Sequence, residues 1–302
     1  MKIAIIGTSP ITEQHIKSIK KLNREIVLIS STRKNSKLLP YLAKKYKIKN
    51  KFYNWKHAIN FASKLKNMAF LISGRLSYNR RILNKCVKLN RKIFIEKPVF
   101  LKSKTFNSFF HSHKNIFVGY NRTKFNNVNY LKKELKKEKQ LTCIVKLPEI
   151  SKKNIFTNSC HIISIIKFLF GKFYIYKIIN NQTNQQVILQ NKNKLNIFIF
   201  INYRNSDNFT IEIFSKKRRF LLSPIEKLKI FKSIKKKRMG SNNIFIPKKS
   251  FEIVEKMGNS KPGFDKQMKD FIYFCKKGYL PKENSLKFAK EVIHLIEKFL
   301  KS

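Results

Sequence analysis

Two rhythms of apolar and polar positions divide this chain. From the start, short unbroken apolar runs alternate with stretches whose apolar residues recur every three or four positions. Lys2-Ile3-Ala4-Ile5-Ile6-Gly7 is a continuous run closed by glycine, the pattern of a strand covered on both faces in a parallel sheet. Ser9 as N-cap, Pro10 at the first helical position and Glu13 in the first turn predict a helix directly after it, with Ile11, Ile16, Ile19 and Leu22 on one face. Further strands are expected over Glu25 to Ile29, Ala69 to Ser73, Lys92 to Ile95 and Asn115 to Gly119. Leu38, Leu39, Leu42 and Ala43 mark a helix, as do Trp55, Ala58, Ile59 and Phe61, and the span from Ile82 to Leu89. Strand and helix alternate without hairpin signals, so residues 1–119 are expected to form an α/β domain on a doubly wound parallel sheet.

Beyond Gly119 the rhythm changes. A helix over Asn127 to Lys137, the stretch Leu141 to Leu147 and an amphipathic helix over Cys160 to Phe170 are followed by strand-like runs at Phe173 to Ile179, Gln186 to Leu189, Leu195 to Tyr203, Phe209 to Phe214 and Arg219 to Leu222. Strands in series predict a second, α+β domain over residues 120–302 with a large, mostly antiparallel sheet and helices on one face. Ser233 to Asn243, with Lys235-Lys236-Lys237-Arg238, reads as a mobile loop. A last amphipathic helix, around residues 285–300, is expected to pack back on the first domain.

Composition alters this picture in one respect. The net charge of +51 would by itself point to nucleic acid or an anionic surface, but lysine is spread through almost every segment, beside abundant Asn, Ile and Phe and only 8 Gly. That is the composition written by an A/T-biased genome, and it disfavours a dedicated nucleic-acid face. Cys86, Cys143, Cys160 and Cys275 form no C-x-x-C pair, which predicts neither a disulfide framework nor a metal site and suits a reducing cytoplasm. No run reaches the roughly twenty apolar residues of a membrane span.

The candidate chemistry lies where a doubly wound sheet binds ligands, beyond the carboxyl ends of its strands. Gly7, Thr8, Ser9, Pro10, Ile11 and Thr12 occupy the G-x-G-x-x-G register with only the first glycine kept, so Ser9 could donate to a phosphate while Thr12 is expected to crowd the packing. About twenty positions on, where a carboxylate would hold a ribose diol, stand Ser30, Ser31, Thr32 and Arg33. Hydroxyls with a guanidinium suit a 2′-phosphate, which favours NADP(H) over NAD(H). Ser73 closes another strand, and Arg91-Lys92-Ile93-Phe94-Ile95-Glu96-Lys97-Pro98 reads as a buried strand ending in a charged corner that proline terminates.

Ile5-Ile6-Gly7, Ile95-Glu96-Lys97-Pro98, Gly119-Tyr120-Asn121-Arg122, Asn158-Ser159-Cys160-His161 with Phe170-Gly171, and Gly263-Phe264 with Gln267 and Phe271 occur in an order and spacing that resembles the Gfo/Idh/MocA family of sugar and cyclitol oxidoreductases. The resemblance implies a Rossmann domain followed by a mostly antiparallel α/β domain, with nicotinamide and a sugar substrate in the cleft between them. It implies that Lys97 holds the substrate oxygen beside the nicotinamide, that His161 is the general acid/base, that Glu96 and Ser73 border the cofactor, and that Asn121, Arg122 and Asn158 help to bind substrate. Three departures stand against it: two glycines of the turn are replaced, Ser164 stands where an acidic residue often follows the histidine, and Gly74, Arg75 and Asn79 replace a small-Pro turn and a histidine. The expectation is a cytoplasmic NAD(P)-dependent dehydrogenase or reductase that needs no metal, spans no membrane and pairs with itself through the open sheet face. Its alternative is a catalytically degenerate relative acting as a ligand-binding or interaction protein.

Overall fold

A computed structural model describes residues 1–191, 195–204, 206–240 and 242–300. The chain forms two compact units, one of residues 1–124 with 257–297 and the other of residues 125–256 with 298–302. The first unit thus takes in a late segment of the chain as well as the expected N-terminal half.

In the first unit six strands, β1 (Lys2–Ile6), β2 (Glu25–Ser30), β3 (Asn50–Phe52), β4 (Met68–Ile72), β5 (Ile93–Glu96) and β6 (Ile116–Gly119), lie in the order β3-β2-β1-β4-β5-β6, all parallel. The order reverses at β1, which makes the β1/β4 boundary the switch point of a doubly wound fold. Every residue of β4 is buried, as the unbroken run Met68-Ala69-Phe70-Leu71-Ile72 requires of a central strand covered on both faces. Helices α1 (Thr12–Lys21), α2 (Leu38–Lys45), α3 (Trp55–Ser63) and α4 (Asn79–Val87) follow β1 to β4, and a run of tight 3-10 turns over Ser103–Asn115 replaces a helix before β6. With few glycines available, the chain makes left-handed turns at Asn23, Asn67 and Asn90, at φ of 51°, 55° and 46°. Asparagine is the side chain that tolerates that region best.

Ser9 does not cap α1. The helix starts at Thr12 with Ile11 in the cap position and no side-chain cap, because Ser9 bonds instead to Thr12 through its backbone N–H, at 2.9 Å. The short strand β3, which three residues with two lysines and asparagines about them do not announce, completes the sheet edge.

The second unit holds β7 (Thr142–Glu149), β8 (Tyr174–Asn180), β9 (Asn184–Gln190), β10 (Asn196–Tyr203), β11 (Thr210–Phe214), β12 (Arg219–Leu222), β13 (Lys227–Met239) and β14 (Asn242–Val254), in the order β14-β13-β12-β11-β7-β10-β9-β8. Among the described residues of this sheet only β7 and β10 pair in parallel. The mobile loop expected over Ser233 to Asn243 is, apart from Ser241, part of the β13/β14 hairpin, in which Lys235 to Lys237 stand across from Ile246 to Ile244. Consecutive lysines hid the alternation there, while cross-strand apolar partners supplied it. Pro247 fits because β14 is the sheet edge, where a missing N–H breaks no ladder.

Helix α5 (Asn126–Leu135), one turn α6 (Lys152–Asn154), a π-turn over Ile155–Ser159 and helix α7 (Cys160–Phe170) belong with this sheet. Glu255 caps α5 by accepting the Asn127 N–H at 2.6 Å, and Arg218 clamps Glu134 in its last turn and Glu138 just beyond its end, each at 2.6 Å. Helix α8 (Phe264–Lys277) returns to the first unit, where Met268, Phe271 and Phe274 join Phe94 and Phe117 in the core. Helix α9 (Leu286–Leu300) follows. The almost fully buried Lys124 ammonium is satisfied by Asp270 at 2.8 Å and Glu283 at 2.7 Å, so the late segment is locked to the first unit by charge as well as by rings.

Candidate active site

In the first unit the carboxyl ends of β1, β2 and β4 meet. Ser31 donates its N–H to Phe52 O, Gly7 to Ser30 O and Ser73 to Ile6 O, at 2.9, 2.7 and 3.0 Å. Gly7 turns the chain at φ 110°, and a Cβ there would stand 2.3 Å from Gly74 Cα, so glycine is required on both counts. A Cβ on Gly74 would in turn come within 2.8 Å of Thr32 Cγ2. The pair Gly7 and Gly74 is what lets these strand ends close up.

Thr12 was expected to crowd the turn, and instead it knits it. Its fully buried hydroxyl contacts Ser73 Oγ at 2.9 Å, Ser73 O at 3.3 Å and the Ser9 N–H at 2.9 Å. The space a glycine would leave is thus filled by a hydroxyl that bonds to β4. Thr8 Oγ1 meets Ser31 Oγ at 3.2 Å and Ser36 Oγ at 2.9 Å, and Ser31 Oγ also accepts the Arg33 N–H at 2.9 Å. Ser31 is completely buried, whereas Arg33 is exposed. Pro10 and Ile11 form the turn that leads into α1.

Next to this turn lies a cavity of about 630 Å³, lined by Thr32, Lys34, Tyr53, Trp55, Tyr78 and Arg81 among others. Aromatic walls with several cations suit a flat heterocycle carrying an anionic group, and the cavity sits where the second ribose and base of a dinucleotide would be held in this fold. The residues therefore fit the nicotinamide dinucleotide that the resemblance implies. Arg33 is not among those lining the cavity, and its neighbours Thr32 and Lys34 are.

The corner at the end of β5 is built on a buried pair. Glu96 Oε1 lies 2.7 Å from His15 Nε2, and Glu96 Oε2 accepts the Lys97 N–H at 3.1 Å. The Lys97–Pro98 peptide is cis. Asn79 stands where a histidine was expected, and its amide donates to the carbonyls of Pro98 and Val99, at 3.5 and 3.1 Å, just past the corner. Asn121 donates to Pro262 O at 3.2 Å, and Arg122 is half-buried in the turn that follows β6.

The remaining candidates belong to the second unit. His161 occupies the first turn of α7 and is half-buried. Ser164, in the place of the expected carboxylate, turns its hydroxyl back to the His161 carbonyl at 2.6 Å. The carboxylate beside this helix start comes instead from Glu149 at the end of β7: it accepts the Ser159 N–H at 2.9 Å and the Asn158 amide at 3.4 Å, and also takes the Ser159 hydroxyl. Glu149 is buried, and the adjacent Tyr203 phenol is pushed upward from its ordinary value by burial and then by the Glu149 charge. His15 and Glu149 escaped the sequence reading. One acid closing an alternating strand carries no local signal, although His15, eight residues after Gly7, could have been noticed as a titratable side chain on the inner face of α1.

Among the described residues no group of three or more His, Cys, Asp or Glu could hold a metal ion, and no helix is long and apolar enough to cross a membrane. No family model matches the chain, and no curated protein matches it. Solved structures do, over its whole length. An oxidoreductase from Thermotoga maritima has a TM-score of 0.79 at 13% identity, covering 100% of this chain and 96% of that one. Levoglucosan dehydrogenase in complex with NADH and L-sorbose has a TM-score of 0.78 at 12% identity, with 100% and 96% covered. A Gfo/Idh/MocA family oxidoreductase from Vibrio cholerae has a TM-score of 0.73 at 14% identity, with 100% and 97% covered. The fold is that of the Gfo/Idh/MocA oxidoreductases.

Proposed function

We propose that the protein is an NADP(H)-preferring oxidoreductase acting on a hydroxyl or ketone of a sugar, with a nucleotide-linked sugar of surface-polysaccharide synthesis as the substrate class. The observation that carries this reading is the convergence, at the carboxyl ends of one parallel sheet, of the Gly7 turn, the cation-lined aromatic cavity and the Glu96-Lys97 corner. The cofactor supplies hydride transfer when bound. Thr8, Ser9, Pro10 and Ile11 in the first turn would face its pyrophosphate, Ser73 and Glu96 border its nicotinamide end, and Thr32, Arg33, Lys34 and Arg81 surround its 2′-phosphate. Lys97 would hold the reacting oxygen and stabilise negative charge as it develops, and His161 would take or return the hydroxyl proton. Asn158, Asn121 and Arg122 are assigned to the sugar. Levoglucosan dehydrogenase, with its bound NADH and L-sorbose, supports a nicotinamide cofactor and a sugar substrate. A cytoplasmic setting agrees with four cysteines that form no disulfide among the described residues, three of them wholly buried.

The test is a panel of sugars and nucleotide sugars incubated with NADP⁺, following NADPH absorbance. One substrate is expected to turn over, with Lys97→Ala and His161→Ala each lowering kcat by about a hundredfold or more. Unchanged turnover in Lys97→Ala would end the catalytic assignment. A second reading, a non-catalytic relative that keeps the cofactor cavity, draws on Thr12 filling the glycine position and on the Ser164 hydroxyl being spent on its own helix. That reading is favoured by saturable NADPH binding with no turnover across the panel.

A further inference from the structure

Glu96 was assigned to the cofactor, yet its carboxylate is already engaged on both sides. Oε1 takes His15 Nε2 at 2.7 Å and Oε2 takes the Lys97 backbone N–H at 3.1 Å. His15 is wholly buried on the inner face of α1, three residues beyond Thr12, and its ring stands between the edges of Phe94 and Phe264 with centroids 5.0 Å from each. Because a carboxylate only accepts, Nε2 carries the proton in this contact, and Nδ1 has no hydrogen-bond partner among the described residues. A buried imidazole with one polar contact, directed at one carboxylate, is poorly explained as core filling, since a phenylalanine would fill the same slot without leaving a polar atom orphaned. Room for the pair is made from a third side: a Cβ on Gly119, opposite Glu96 in the β5/β6 register, would come 3.1 Å from Glu96 Oε1.

We propose that His15 is a positioning residue for Lys97. Through Glu96 it fixes the backbone at the corner, and it ties that corner to the helix whose start forms the phosphate turn. Binding at the turn and placement of Lys97 are then mechanically coupled. This rests on the reading that Lys97 serves a bound cofactor, but the coupling itself can be measured without one.

The experiment is residue-resolved amide hydrogen exchange at Lys97 in the full chain, with and without NADPH. Without NADPH, His15→Phe keeps the aromatic volume and is expected to speed Lys97 exchange about tenfold, toward the rate in Glu96→Ala, while amides of Ile5 and Leu71 hold their wild-type rates. His15→Gln, which restores an amide donor, is expected to stay within about threefold of wild type. Should His15→Phe fail to fold, His15→Asn, too short to reach the carboxylate, takes its place with the same expectation. The proposal is overturned if the donor-less variant exchanges at the wild-type rate, if Gln is as fast as Phe, or if the increase spreads equally over β1 and β4. NADPH should slow Lys97 exchange in wild type and leave it fast in His15→Phe; equal slowing in both contradicts the coupling. Absence of NADPH binding to wild type would sink the cofactor reading, while the comparison without NADPH still decides the role of His15.

Discussion

At the scale of single residues, the turn shows how a lost glycine can be replaced. Thr12 exchanges the close approach of bare backbone for hydrogen bonds to Ser73 and Ser9, which the sequence could not announce because the partner lies 61 residues away. Thr12→Ala should therefore cost stability of about 1–2 kcal/mol, read by urea denaturation, with Thr12→Ser costing less. Gly7 has no such substitute. Gly7→Ala combines a left-handed φ with a 2.3 Å clash against backbone and is expected to destabilise by at least about 2 kcal/mol in the same measurement. The 2′-phosphate assignment is also a residue-scale matter. Arg33 was singled out by its place in the sequence, whereas Arg81 and Lys34 line the cavity. Arg81→Ala should weaken NADPH binding by about tenfold or more and NADH binding by much less, in line with one lost charge-assisted hydrogen bond. Equal losses for both cofactors would remove the 2′-phosphate from that side chain.

At the scale of elements, buried strands and amphipathic helices were legible because burial imposes their periods directly. The unbroken run of β4 and the spacing in α7 and α9 name their own environments. What could not be read were features set by partners far along the chain. The β13/β14 hairpin is one, since its lysines acquire strand character only across from Ile244, Phe245 and Ile246. The cap of α5 is another, supplied by Glu255 from 128 residues away. The Arg218 clamp on α5 gives a pH prediction. Contacts with Lys137 and then Arg218 hold the Glu134 carboxyl below its ordinary value. A carboxylate with a depressed value in the folded state contributes stability above its unfolded value, and that contribution fades as pH falls through the folded value. Arg218→Met should thus lower stability by about 2 kcal/mol at neutral pH and flatten the acid limb of the stability curve, measured by urea denaturation at stepped pH. A parallel loss at all pH values would mean that packing, and not charge, was removed.

At the scale of the whole molecule, the fold class was readable and the site only in part. Lys97 and His161 are proposed from short motifs, while the groups that hold their surroundings, His15 and Glu149, come from elsewhere in each unit. The outward side of the large sheet carries Ile144, Ile188, Phe198 and Phe200, each half-buried, between polar neighbours. An apolar band on an open sheet supports self-association, so the protein is expected to run as a dimer or larger in light scattering, and Phe198→Glu with Phe200→Glu to yield a monomer. The lysines spread over the chain argue against reading its +51 charge as a nucleic-acid signal. Binding of a nicotinamide dinucleotide by the first unit is tested most directly by calorimetric titration of the intact protein with NADPH and with NADH. Saturable binding of NADPH, tighter than NADH and weakened by Arg81→Ala, is the predicted result; no saturable heat with either cofactor would contradict it.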